Sequence, residues 1–127
     1  MPHPVSSRYY ISAILLAAGL STRMERNKAL LPWLGSTLLE YQLRQLARSR
    51  VKQTVLVLGH EAEILRPLAS GVPGLRVAVN PHYEKGRAGS VVTGVKALDP
   101  CTSVVLILGV DQPRPAELID QLIQSHL

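Results

Sequence analysis

The stretch Ile11-Ser12-Ala13-Ile14-Leu15-Leu16-Ala17 most constrains what this chain can fold into, because it is apolar at both odd and even positions. A strand of that kind must be covered on both faces, which is the situation of a central strand in a parallel sheet between helical layers. Shorter runs of the same character follow at 54–58, closed by Gly59, at 75–79, led in by Pro73-Gly74, and at 103–108. Helical patterns separate them. Leu39, Leu43, Leu46 and Ala47 repeat at helical spacing behind the capping box Thr37-x-x-Glu40, predicting a helix over 38–48. A short helix is expected over 61–69, where Pro67 bends or ends it. Another opens at Gly89 or Ser90 and runs to about Leu98, and a last one starts at Arg114 or Pro115 and reaches the end of the chain. This alternation with short loops predicts an α/β fold, three-layer and Rossmann-like, with a mostly parallel sheet and right-handed crossovers. No internal repeat or low-complexity linker interrupts it, and residues 1–8 read as a disordered lead.

The first strand runs directly into Leu16-Ala17-Ala18-Gly19-Leu20-Ser21-Thr22-Arg23-Met24, and Lys28 follows in Lys28-Ala29-Leu30-Leu31-Pro32. Ala17, Ala18 and Gly19 allow a ligand close to the backbone, and successive loop N–H groups can form an anion-binding nest. Ser21 and Thr22 add hydroxyls for phosphate oxygens. Arg23 contributes a planar fork and Lys28 a flexible point charge. Two other phosphate loops are excluded by the same residues: no Gly-Lys-Ser/Thr is present for a P-loop, and Gly19 lacks glycine partners at G-x-G-x-x-G spacing. The plain alternative, a buried strand leaving through a solvated basic loop, does not account for small residues, hydroxyls and cations in that order.

In open α/β sheets, ligands gather outside the carboxyl ends of the strands. The loop after the first strand, the turn Gly86-Arg87-Ala88-Gly89-Ser90 after the third, and Asp111 after the fourth all fall there. Asp111, followed by Gln112-Pro113, can hold a hard cation through oxygen or cap the following helix. Ser90 and Gly89 can belong to a nucleotide pocket or to a flexible turn in which Ser90 is the N-cap.

Charge and composition narrow the function class. The net charge of +5 is concentrated at the start: eight Lys/Arg against two Asp/Glu through Lys52, and six against seven thereafter. Part of it belongs to the phosphate loop (Arg23, Arg26, Lys28). Part, Arg44, Arg48, Arg50 and Lys52, lies at the end of the first helix, where the macrodipole favours cations. Basic residues interleaved with aromatics or gathered on a recognition helix are missing, which argues against nucleic acid. His3, His60, His82 and His126 show no metal-ligand spacing, and Cys101 is the single cysteine, so a disulfide framework and a cysteine zinc site are excluded. No run spans a membrane and the start lacks a signal-peptide layout, so the expected compartment is the cytoplasm.

The pattern L-A-A-G-x-S-x-R-M, with Lys28 leading into Leu-Leu-Pro, resembles the MobA-like nucleotidyltransferases, and within them most closely the molybdenum-cofactor cytidylyltransferase branch. Asn80-Pro81 through Gly89-Ser90-Val91-Val92-Thr93-Gly94 and Leu108-Gly109-Val110-Asp111-Gln112-Pro113 match in order. The resemblance implies a nucleotide-diphospho-sugar transferase, GT-A-like fold over 9–127, with the C-terminal part of the domain missing. It implies CMP transfer from CTP to a phosphorylated acceptor, molybdopterin, with release of pyrophosphate. Leu16, Ala17, Ala18, Gly19, Ser21, Thr22, Arg23, Lys28, Gly89 and Ser90 would bind nucleotide; Arg23, Lys28 and Asp111 would carry catalysis, with Mg²⁺ on Asp111. Ala18 stands where guanylyltransferase relatives carry glycine, which favours a pyrimidine. Glu25 stands where the family has glycine after the methionine. A molybdoenzyme or chaperone is the implied protein partner. The alternatives are a transferase for a sugar- or alcohol-phosphate, or a non-catalytic nucleotide-binding domain.

Overall fold

The computed structural model describes residues 9–19 and 27–127. The elements follow as β1 (Ile11–Ala17), β2 (Pro32–Trp33), β3 (Ser36–Thr37), α1 (Leu38–Arg48), β4 (Gln53–Leu58), α2 (Ala62–Leu65), β5 (Leu75–Val79), α3 (Arg87–Lys96), β6 (Val104–Gly109) and α4 (Ala116–His126). Among the described residues, β5-β4-β1-β6 form a four-stranded sheet in that order, parallel throughout. β1 is therefore central, pairing with β4 from Ser12↔Gln53 to Ala17↔Leu58 and with β6 from Ile11↔Val104 to Leu16↔Gly109.

The double apolar face of β1 has its expected consequence. Alternate residues point to opposite sides of a strand. Ile11, Ala13 and Leu15 join Leu39, Leu43 and Leu46 of α1 and Ile119 and Ile123 of α4 in one core. Ile14 and Leu16 join Val55 and Val57 in the other, with Val91, Ala97 and Leu98 packed against it from α3 and the turn that follows it. These are the two helical layers. α3 lies very close to the sheet: a Cβ added at Gly94 would stand 2.6 Å from Ile14 Cγ2 and 3.1 Å from Val57 Cγ2. Edge strand β6 is covered less well, and its Val105 and Ile107 stay 42% and 43% exposed.

Helix α1 begins at the predicted capping box. Thr37 Oγ1 accepts from the Glu40 N–H at 3.1 Å, and Glu40 Oε1 accepts from the Thr37 N–H at 3.2 Å. Caps of this kind contribute about 1 kcal/mol. Pro67 acts as expected: α2 ends at Leu65, and a 3-10 turn over Arg66–Ala69 takes Pro67 in its first turn. Several elements differ from the sequence reading: β6 lies one residue later than expected, over Val104–Gly109, and α4 starts at Ala116 with Pro115 as its N-cap. β4 starts one residue earlier, at Gln53. The tiny hairpin β2–β3 appears through Leu34 (φ 47°) and Gly35 (φ 87°), a two-residue turn with both residues left-handed. α3 starts at Arg87 and ends at Lys96, so Gly89 and Ser90 lie inside its first turns. Its N-cap is Gly86, whose φ of 118° a β-carbon would resist. No helix among the described residues is long and apolar enough to cross a membrane. The expected disordered lead, residues 1–8, lies outside the described residues.

Candidate functional site

The carboxyl ends of β1 and β6 and the start of α3 surround a cavity of about 430 Å³. Sequence reasoning placed Leu16, Ala17, Ala18, Gly19, Lys28, Ser90 and Asp111 in one pocket, and all of them line this cavity. Gly89 is not among the lining residues; it faces Asn80, whose Nδ2 would stand 3.4 Å from an added Cβ. Ser21, Thr22, Arg23 and Glu25 lie outside the described residues.

Each lining group is placed by an identifiable device. Ala17 and Ala18 continue the buried β1, and the Ala18 carbonyl accepts from the His60 N–H at 3.2 Å. Lys28 opens a 3-10 turn whose N-cap is Asn27. The buried Asn27 side chain accepts from the Ala29 N–H at 3.0 Å and donates to the His60 carbonyl at 3.3 Å. Lys28 therefore leaves a fixed turn rather than a free loop. Ser90 is buried to 4% exposure, and its Oγ accepts from Asn80 Nδ2 at 3.0 Å. Asn80 Oδ1 in turn accepts from the His82 N–H at 2.9 Å. The serine is thus a fixed group on α3 and not the N-cap of that helix.

Asp111 does not cap the next helix either. The N-cap of α4 is Pro115, and the Ala116 N–H is taken by Gln45 Oε1 at 2.9 Å. The Asp111 carboxylate folds back over Gly109, where a Cβ would meet Oδ1 at 2.8 Å and displace the half-exposed carboxylate. Across the cavity, Lys28 Nζ stands 3.8 Å from Asp111 Oδ2, and the two side chains are 47% and 49% exposed. An exposed pair of this kind contributes about 0–1 kcal/mol to stability, so folding alone does not account for the two charges facing each other.

Asn27, Tyr83, Glu84, Gly86, Arg87, Gly109 and Val110 also line the cavity without having been singled out as binding residues. Arg87 is the most consequential, since it places a second described cation on the cavity wall, in the first turn of α3. Its signal lay in the boundary: Gly86 is the residue able to take the positive φ that starts the helix there, which turns Arg87 from a loop residue into the first residue of a helix. Asn27 is legible as an N-cap type immediately before Lys28.

Among the described residues no group of three His, Cys, Asp or Glu could hold a metal by itself. Asp111 is a hard oxygen donor open to the cavity, and Glu84 is the other carboxylate on its lining. That donor set fits Mg²⁺ arriving on phosphate oxygens, which completes its octahedron with substrate and water; it does not fit a resident metal.

The family model described as the MobA-like NTP transferase domain matches residues 13–127. The chain belongs to the MobA-like NTP transferase family. Bifunctional protein GlmU of Synechococcus sp. (strain RCC307) is 36% identical over 123 residues, covering 91% of this chain and 26% of that protein. Nicotine blue oxidoreductase of Paenarthrobacter nicotinovorans is 32% identical over 118 residues, covering 91% of this chain and 57% of that one. Among solved structures, a nucleotidyl transferase of Methanothermobacter thermautotroptrophicus superposes with a TM-score of 0.80 at 28% identity, over 92% of this chain and 57% of that one. The 4-diphosphocytidyl-2C-methyl-D-erythritol synthase of Anaerococcus prevotii gives a TM-score of 0.80 at 26% identity, over 98% and 54%. The chain therefore spans between 26% and 57% of the length of these proteins. Its sheet and helical layers are those of the nucleotide-diphospho-sugar transferase fold.

Proposed function

We propose that the cavity binds CTP with Mg²⁺ and serves transfer of CMP to a phosphorylated acceptor, molybdopterin, with release of pyrophosphate. The observation that carries this reading is the meeting of Ala17–Gly19, Lys28 and Asp111, from three separate parts of the chain, around one cavity at the strand ends. A phosphate oxygen of the acceptor attacks the α-phosphorus in line, and the bond from that phosphorus to the bridging oxygen of the β-phosphate breaks. An acceptor phosphate that is already ionised needs no general base. Such chemistry depends on positioning and charge neutralisation. Lys28 and Arg87, both on the cavity lining, supply positive charge, and the sequence pattern adds Arg23, Ser21 and Thr22 to them as phosphate-binding groups. The first turn of α3, whose N-cap makes no side-chain hydrogen bond, offers N–H groups to an anion. Ser90 presents a fixed hydroxyl to the base or ribose, beside Gly89. Asp111 would hold Mg²⁺, which when bound neutralises charge on the phosphate oxygens.

The relation to a diphosphocytidyl-methylerythritol synthase supports cytidylyl transfer and also favours a second reading of the acceptor, a sugar- or alcohol-phosphate. Calorimetry of the chain with CTP, GTP and ATP in the presence of Mg²⁺ tests the shared part of both readings. Binding of CTP, tighter than GTP, is expected. No heat from any nucleotide at millimolar concentration overturns the proposal.

A further inference from the structure

We propose that Gln42 is a positioning residue for Asp111: from the inner face of α1 it clamps the turn at the end of β6 that aims the carboxylate into the cavity. Resting on the reading of Asp111 as the ligand of a nucleotide-bound metal, the proposal extends the site to a helix that does not line it. Gln42 is 0% exposed among the apolar residues of α1, at a position where packing alone would accept leucine. Its Nε2 donates to the Gly109 carbonyl and to the Val110 carbonyl, both at 3.0 Å. Successive carbonyls of a strand point to opposite sides. Two that converge on one amide mark the point where β6 stops being a strand. The same residues are held from the other side, where the Val110 N–H donates to the Leu16 carbonyl at 3.0 Å and the Gln112 N–H to the Gly109 carbonyl at 3.1 Å. The chain is thus pinned to β1 and α1 immediately before Asp111.

The orientation of the Gln42 amide follows from these partners. Turned over, it would set Oε1 against two carbonyl oxygens. As it stands, Oε1 is buried and finds no hydrogen-bond partner among the described residues. A buried acceptor without a partner is destabilising. Its retention at a core position is explained by the two bonds its nitrogen makes to the turn. Asp111 is sensitive to that turn, since its Oδ1 would stand 2.8 Å from a Cβ on Gly109 and so lies directly over the clamped residue.

The test uses the full 127-residue chain and Gln42→Met, which keeps the length of the side chain and removes the donor, with Mn²⁺ and CTP as probes. Hydrogen exchange is expected to speed up at the Val110 and Gln112 amides while those of β1 and β4 keep their protection. The enhancement of CTP affinity by Mn²⁺ is expected to fall about tenfold, with metal-free CTP affinity unchanged. Gln42→Glu is the second variant, because a buried carboxyl facing carbonyls keeps its proton and donates one of the two bonds. It should recover part of the metal enhancement and stands in if the methionine variant does not fold. Unchanged exchange at Val110 and Gln112 overturns the clamp whatever the nucleotide does. Faster exchange with the full metal enhancement overturns the positioning role. A wild-type chain that shows no difference in CTP binding with and without Mn²⁺, or an Asp111→Ala chain that keeps the full enhancement, defeats the reading of the site itself and takes the proposal with it.

Discussion

The two ends of the parallel sheet use polar residues in opposite ways. At the amino ends of the strands, Ser12, Gln53, Thr102 and the Asp99 backbone close on one another. Gln53 Oε1 accepts from Ser12 Oγ at 3.3 Å and from the Asp99 N–H at 2.9 Å, and Ser12 Oγ lies 2.8 Å from Thr102 Oγ1. Ser12 and Gln53 are buried, and both Ser12 Oγ and Gln53 Oε1 have hydrogen-bond partners. At the carboxyl ends, Lys28 and Asp111 face each other at 3.8 Å with about half of each side chain in water. Burial with full pairing is how a fold closes. Charge held half-exposed on fixed turns is how a fold leaves capacity for a ligand, since such a pair adds little to stability.

That comparison is most easily broken at Asp111. Asp111→Ala is expected to lower pyrophosphate release from CTP, with molybdopterin as acceptor, by about 100-fold or more, the scale of removing one group that stabilises charge in a transition state. Its unfolding free energy should change by less than about 0.5 kcal/mol, as for an exposed site outside any cap. Turnover within a few-fold of wild type would show that the carboxylate does not serve the reaction; a large loss of stability would show that the carboxyl end is structural after all.

How much of this was legible in the sequence follows the same division. The double-faced β1, the capping box of α1 and the break at Pro67 were readable because each rests on local chemistry, namely a continuous apolar run, an N-cap pair and a ring that cannot continue a helix. The start of α3 was misplaced because Gly89 and Ser90 look like an opening, whereas the positive φ of Gly86 starts the helix at Arg87. That conformation answers to packing of α3 on Ile14 and Val57 through Gly94, a contact between residues far apart in the chain. The same reason hid Gln42 and Asn80. Each is unremarkable in its own element and acquires a role only when another element presents carbonyls or a hydroxyl to it.

The amino end offers the complementary test. Gln53→Leu keeps the volume of the side chain but leaves the Asp99 N–H without its acceptor and takes one partner from Ser12. Loss of a buried acceptor of this kind should cost about 1–3 kcal/mol, read as a lower denaturant midpoint. CTP affinity should stay within about twofold of wild type, because Gln53 sits at the opposite end of β4 from the cavity. A variant that lost nucleotide affinity in proportion to stability would mean that the two ends of the sheet are not separable.

The smallest effect is expected at Ala18, where the two kinds of region meet. This residue is 2% exposed and packs with Ile14, Leu16, Val55 and Val57, yet it lines the cavity. With the base seated against Ala18, as proposed, the methyl group narrows its space, and a purine needs more room than a pyrimidine. Ala18→Gly should therefore leave CTP affinity nearly unchanged and improve GTP affinity about fivefold, the lower end of the about 1–3 kcal/mol that one methyl-sized difference in a pocket can discriminate. The removed methyl also leaves the apolar cluster and frees the backbone, so a stability loss of up to about 1 kcal/mol is expected alongside. Titrating both nucleotides into both proteins separates these effects, because lost packing weakens the two nucleotides equally and only the removal of steric crowding changes their ratio. If wild type prefers GTP, or if the ratio does not move on substitution, the methyl group of Ala18 serves the core alone and base selection lies elsewhere on the cavity wall.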